Sequence, residues 1–353
     1  MYRIILISIF FISMHSKAQD NHFYSDAYQA IDNMLNDKQQ YSFKDAVFGV
    51  ENAYYQGKLD VDELNSKIGF LTKFCNRLIT NRKLSYTEKD IEKVSKYAAI
   101  YTVMCQTTPV IFGKEDTLKF KPFVYDFEDV FGHKELSNLF VSKLLDTQKG
   151  NCNSMPYLYK ILAEELGVDA NLALAPNHVY IKHNIKSIGW YNTELTSGIF
   201  PIDAWLSASG FIHLDAIKNG VFMKALNNKE SLALLLVDLA NAYNRNYPDN
   251  DGSFALKCAE RAIQIYPYLP NALLLQAETH TKQFKKLMKE QNTRDIQATL
   301  SNPTAKELFE TMNNEYAHIH KIGYRSMPEE MYLDWLVSLK TERLKYEDTR
   351  LQK

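Results

Sequence analysis

Cysteine is scarce in this chain: Cys75, Cys105, Cys152 and Cys258 are the four among 353 residues. None forms a CxxC pair or stands near histidine at ligand spacing, so no cysteine-bound metal is expected. His318 and His320 fall two apart on an expected helix, where side chains do not share a face, so a metal is not expected there either. Excess charge of one sign is missing as well. With 41 basic and 42 acidic residues the formal net charge is −1, which leaves no electrostatic footprint for nucleic acid or an anionic membrane surface. After residue 12 no long apolar run occurs, so the mature chain should hold no integral membrane segment. No stretch is biased enough in composition to read as disordered. Nothing in the sequence calls for a cofactor.

The start of the chain is different in character. Met1-Tyr2-Arg3 is a short basic opening, Ile4 to Ile12 is almost unbroken apolar sequence, and Ser16-Lys17-Ala18 puts small residues before Gln19. Residues 1–19 therefore read as a secretory signal peptide, and the product is expected to be periplasmic or secreted. The remaining chain, roughly 330 residues, is long enough for two or three domains. Apolar residues at three- and four-residue spacing predict helices over Asp26–Leu35, Phe43–Tyr55, Asp62–Leu78 and Glu88–Met104. Asp60-Val61-Asp62-Glu63 and Ser85-Tyr86-Thr87-Glu88 carry capping chemistry at two of the starts. Residues 107–133 read as irregular or extended and are strongly aromatic, and a further helix is expected over Lys134–Leu145. Cys75 and Cys105, in adjacent helical segments, either bridge in an oxidising compartment or stand as separate core thiols. Cys258 reads as core.

Cys152 stands where chemistry is expected. Gly150-Asn151-Cys152-Asn153-Ser154-Met155-Pro156 opens the run Tyr157–Leu166, which closes on Gly167. The pattern predicts a turn that delivers the cysteine to the first turn of a helix with a glycine C-cap. There the unpaired backbone N–H groups and the helix dipole favour a thiolate. His178 follows 26 residues later and Glu194 another 16, in short segments rich in β-formers: Ala173–Ala175, His178–Ile181 and Gly189–Thr193, with Lys182–Ser187 as a polar connection. Antiparallel pairing would bring histidine and carboxylate together near the cysteine. Thiol, imidazole and carboxylate then supply nucleophile, general acid/base and orienter. The Cys152 backbone N–H would form half of an oxyanion hole, and Gln148 is a side-chain candidate for the other half. Asn192 and Asp203 are alternative orienters.

In its register this segment resembles the transglutaminase-like superfamily, whose core is a papain-like thiol fold. In that family a glycine ends the cysteine helix fifteen residues on, as Gly167 does. A tryptophan stands twelve residues after the histidine, as Trp190 does, and an acidic residue four later with a threonine two beyond, matching Glu194 and Thr196. The family usually has aspartate where this chain has Glu194, and His-x-Trp where it has His178-Val179-Tyr180. The resemblance covers roughly residues 141–225. It implies an α+β core in which a cysteine-bearing helix packs on a small antiparallel sheet. It also implies acyl transfer through a thioester on a protein or peptide substrate.

The C-terminal part resembles tetratricopeptide repeats. Helices expected over Leu232–Tyr243 and Phe254–Tyr266 carry Ala240 and Tyr243, then Ala255, Ala259, Ala262 and Pro267, at the spacing that lets paired helices pack closely. A second half-repeat begins at Pro270 with Ala277, and last helices are expected over Thr304–Ile319 and Pro328–Tyr346. The expected organisation is thus a signal peptide at 1–19, a helical region at 20–140, a transglutaminase-like core at 141–225, and helical repeat with C-terminal helices at 226–353. Two functions are expected from it. One is an exported Cys-His-Glu hydrolase or transamidase. The other is an inactive core that binds a protein partner through its helical repeats.

Overall fold

The computed structural model describes residues 22–112 and 116–351, so the leader read at 1–19 lies outside the described residues. The fold is α+β, mostly helical, with three small sheets among the described residues. It opens with α1 (His22–Leu35), α2 (Phe43–Tyr54), α3 (Val61–Asn81) and α4 (Ile91–Cys105). The Asp60 cap forms as its spacing predicts, accepting the Glu63 N–H at 2.9 Å. The one predicted at Ser85–Glu88 does not, and α4 begins at Ile91. The Asp90 carboxylate instead accepts the Tyr86 hydroxyl (2.8 Å) and the Lys186 N–H (2.9 Å), which ties this stretch to a distant turn.

The passage read as irregular contains strands. β1 (Thr108–Phe112) and β2 (Asp116–Phe120) form an antiparallel hairpin, and β3 (Val124–Tyr125) pairs in parallel with β4 (Lys149–Gly150). The single helix expected over 134–145 is split into a 3₁₀ turn (Leu136–Leu139) and α5 (Val141–Thr147), with Phe140 extended between them. Buried Glu51 causes the break. Its carboxylate accepts the N–H groups of Val141 (2.7 Å) and Ser142 (2.9 Å) and so caps a new helix start from 90 residues away.

The middle of the chain is α6 (Ser154–Glu165) packed on an antiparallel sheet of β5 (Asn171–Ala175), β6 (His178–Ile185) and β7 (Gly189–Thr193), in that order. Strand β6 takes in most of the predicted connection, because His183 is buried against the rings of Tyr97, Tyr159 and Tyr191. Short helices α7 (Asp203–Ser209) and α8 (Leu214–Lys218) follow.

The repeat-like helices are α9 (Asn228–Asn246), α10 (Ser253–Ile265) and α11 (Pro270–Glu290), then a single turn α12 (Ile296–Thr299), α13 (Pro303–Lys321) and α14 (Glu329–Leu351). Ala240, Ala255, Ala259, Ala262 and Ala277 are fully buried, as close helix packing requires. One face of this array is filled from within the chain. Tyr24 on α1 donates to the Ala242 carbonyl (3.1 Å), Arg261 pairs with Asp32 (2.6 Å), and Asn246 donates to the Tyr54 carbonyl (2.8 Å). All four cysteines are buried and none is in a disulfide, so Cys75 and Cys105 stand as separate core thiols.

Candidate active site

The start of α6 is fixed by Asn151. Its side-chain oxygen accepts the N–H groups of Asn153 (2.9 Å) and Ser154 (3.2 Å), its carbonyl accepts Met155 N–H (3.1 Å), and its own N–H donates to Ser154 Oγ (3.1 Å). That is a reciprocal capping box with asparagine at N-cap. By hydrogen bonding, Cys152 is therefore the N1 residue, although regular helix geometry starts at Ser154. A residue at N1 has no intrahelical acceptor for its N–H, and its side chain feels the positive end of the dipole.

The sheet brings the other two groups. Ala175 pairs with His178 across a two-residue turn, Pro176-Asn177, in which Asn177 takes a positive φ of 57° that asparagine tolerates. The turn lies against the thiol, with the Asn177 carbonyl 3.6 Å from Cys152 Sγ. Glu194 follows β7 directly. Since Ile181 pairs with Thr193, extending the register sets Glu194 opposite Tyr180, diagonal to His178. Diagonal neighbours on one sheet face lie about 7–8 Å apart at Cα, a gap that suits the extra methylene of glutamate. Glu194 Oε2 reaches His178 Nε2 at 2.5 Å, and Oε1 accepts the Thr196 N–H at 2.7 Å. Thr196 thus holds the carboxylate through its backbone.

With Nε2 taken by the carboxylate, Nδ1 serves the sulfur side, and there the hydroxyl of Tyr332 lies 2.9 Å away. His178 and Glu194 are almost wholly buried. Burial alone would push the Cys152 thiol up; the hydrogen bond and charge of His178, with a hydrogen bond from Tyr332, outweigh it and hold the thiol below its ordinary value. Burial pulls the imidazole down, and the Glu194 charge and the bonds to Cys152 and Glu194 carry it up to about 10. The two directions agree: the stable form of the pair is thiolate and imidazolium. In that form His178 Nδ1–H is shared between the Tyr332 oxygen and the sulfur, and the Tyr332 O–H donates to the thiolate.

The remaining sequence candidates are not at this cluster. Asn192 donates to the Pro201 carbonyl (2.8 Å) and to Asp203 (2.7 Å), while Asp203 pairs with Lys182 at 2.9 Å. Both are structural partners and neither orients His178. Gln148 is a left-handed C-cap of α5 whose carbonyl accepts the Val124 N–H; no hydrogen bond of its side chain to the triad is found among the described residues. Trp190 is half exposed at the far end of β7 and lines a cavity of about 810 Å³ with Tyr97, Tyr101, Tyr191 and Phe200. The triad does not line that cavity.

Sequence reasoning missed two aromatic residues at the site, Tyr332 and Trp335, while a third, Tyr125, lies in the passage it marked as strongly aromatic. Tyr332 is fully buried, Trp335 stands edge-on to the His178 ring at 4.8 Å between centroids, and Tyr125 is buried with no partner in hydrogen-bond geometry for its hydroxyl. Burial first, then the charge on Cys152, push the Tyr125 phenol far up. The aromatic run at 120–131 was a signal for Tyr125. For Tyr332 the signal was the spacing Tyr332, Trp335, Leu336, Leu339, one apolar helix face. Among the described residues no group of three or more side chains suits a metal, and no helix is long and apolar enough to cross a membrane. Comparison with protein families, curated proteins and solved structures gives no match.

Proposed function

We propose that this protein is an exported thiol acyl-transfer enzyme of transglutaminase-like type, with Cys152 as nucleophile, His178 as general acid/base and Glu194 as orienter. The observation that carries the reading is the assembly of these three side chains at a capped helix N-terminus, with His178 gripped by Glu194 at 2.5 Å beside a lowered thiol. A buried imidazolium–carboxylate pair aimed at a sulfur suits nucleophile activation better than packing. The thiolate attacks the carbonyl carbon of an amide, and the carbonyl electron pair moves to oxygen. The Cys152 N–H, which has no intrahelical acceptor at N1, and the Tyr125 hydroxyl are assigned as the donors to that oxyanion. His178 gives its proton to the departing amine and leaves an acyl-thioester. Water or a second amine then attacks, His178 takes the proton, and the thiolate is released.

The substrate class, a protein or peptide amide, follows from the family resemblance. The competing reading is a binding module that keeps the fold without turnover and uses its helical repeats to hold a protein partner. It is favoured by the closed state of the site. Incubating the full chain with an activated peptide ester separates the two. The enzyme reading expects an acyl adduct on Cys152 by peptide mass mapping, absent in Cys152→Ser and formed at least 100-fold more slowly in His178→Ala. Acylation spread evenly over Cys75, Cys105 and Cys258, or formed as fast in His178→Ala as in the wild-type chain, would contradict it.

A further inference from the structure

Cys152 has 9% of its surface exposed and His178 3%, and two of the side chains at them, Tyr332 and Trp335, come from one distant element. That element is α14. Tyr332, Trp335, Leu336 and Leu339 form its inner face at i, i+3, i+4 and i+7, and all four are buried. The Tyr332 hydroxyl lies 2.9 Å from His178 Nδ1 and also bonds to Cys152, and Phe131 packs on its ring at 5.2 Å between centroids. Trp335 covers the outer side of His178 and is pinned by its indole N–H to Ser209 Oγ at 3.1 Å.

The segment entering α14 is held at two points. Asn219 donates to the Ile322 carbonyl (3.0 Å), and Asn177, in the turn beside the thiol, donates to the Met327 carbonyl (2.8 Å). At Gly323, with φ of 98°, a Cβ would lie 2.4 Å from the Ala216 nitrogen, so the chain passes α8 in direct backbone contact. This is an anchored hinge followed by a helix whose apolar face is seated on the reacting groups.

A carbonyl must approach Sγ to about 3–3.5 Å before attack, and the Tyr332 hydroxyl stands in that approach. We propose that α14 is an intramolecular lid, so that the described state is latent and a substrate reaches Cys152 only after α14 swings out about the 323–328 segment. The proposal rests on the enzyme reading for its purpose but not for its test. The lid does not discharge the site: the Tyr332 O–H donates to the thiolate while it blocks the carbonyl, so the nucleophile is kept charged and covered. Opening replaces that donor with substrate.

The test measures how often Cys152 is uncovered. The full chain is alkylated with iodoacetamide at a pH where the thiolate fraction no longer changes. The rate at Cys152 is divided by its rate in the guanidinium-unfolded chain, and Cys75, Cys105 and Cys258 report global unfolding. With α14 seated, Cys152 in the wild-type protein should react at least 100-fold more slowly than in the unfolded chain. Trp335→Ala should raise the rate tenfold or more while the three core cysteines stay unreactive. Asn219→Ala, which removes one tether outside the site, is the gentler variant if Trp335→Ala exposes the core thiols; it too should raise the rate at Cys152 alone, by about threefold. A wild-type Cys152 that reacts near the unfolded rate, or one unmoved by loosening α14, overturns the lid. Either result stands apart from the acylation experiment, because alkylation reads access and not acyl transfer.

Discussion

At the residue scale the three chemical groups were legible because reactive side chains are constrained in type and spacing, and the structure brings Cys152, His178 and Glu194 together. Glu194 was preferred to Asn192 and Asp203 on spacing alone, without the physical reason that separates them. Strand register supplies that reason: Asn192 and Lys182 are paired positions on β6 and β7, and Asp203 bridges their side chains, whereas Glu194 falls diagonal to His178. Replacing Glu194 with glutamine keeps shape but removes the charge that holds the imidazolium. Turnover in an acyl-transfer assay should fall roughly 10³–10⁴-fold, and a loss below tenfold would remove Glu194 from the orienting role. Tyr125→Phe deletes one hydroxyl without a cavity. If that hydroxyl stabilises the oxyanion, kcat should fall roughly 100-fold, and an unchanged kcat would remove Tyr125 from that role.

At the element scale, helices with strong periodicity were placed to within a few residues, as α2 at Phe43–Tyr54 and α10 at Ser253–Ile265 illustrate. The errors came where a distant side chain overrode local pattern. Glu51 split the helix expected over 134–145, and Asp90, drawn to Tyr86 and Lys186, left the Ser85–Glu88 box unused. Local sequence holds no record of either partner. The cap at Asn151 is the opposite case, since all its partners lie within four residues. Asn151→Ala removes two hydrogen bonds to backbone N–H groups and should cost about 1–2 kcal/mol in urea unfolding. It should also loosen Cys152 at N1, so the same variant should lose activity at temperatures where it remains folded. Unchanged stability would mean that another group caps α6.

At the scale of the whole molecule, helical N-terminal region, mixed core and helical C-terminal part were all expected, but not how they interlock. One face of the helical repeat is filled by α1 and α2, and the last helix lies over Cys152 and His178. Both are contacts between segments more than 150 residues apart, which no local pattern encodes. Interlocking also buries acid. Asp238 on α9 accepts the Tyr157 hydroxyl from α6 at 2.7 Å, and burial pushes its carboxyl up to about 6 against the pull of that bond. Its folded pKa lies above the unfolded one, so its contribution to stability is full below about pH 4 and is lost as pH rises through about 6. Between pH 4 and 7 the wild-type protein should lose on the order of 2 kcal/mol through this group. Urea unfolding of Asp238→Asn should show a fall smaller by that amount. An identical fall in the two proteins would mean Asp238 is ionised throughout.

The account depends on a thiolate held by an imidazolium in the folded chain. Its most direct measurement is the ionisation of Cys152 itself, followed as the pH dependence of its iodoacetamide rate from pH 4 to 10 in the wild-type protein and in His178→Ala. The account predicts a midpoint below the ordinary cysteine value in the wild type and a clear rise in the variant. A midpoint at or above the ordinary thiol value, unmoved by loss of the imidazole, would contradict it.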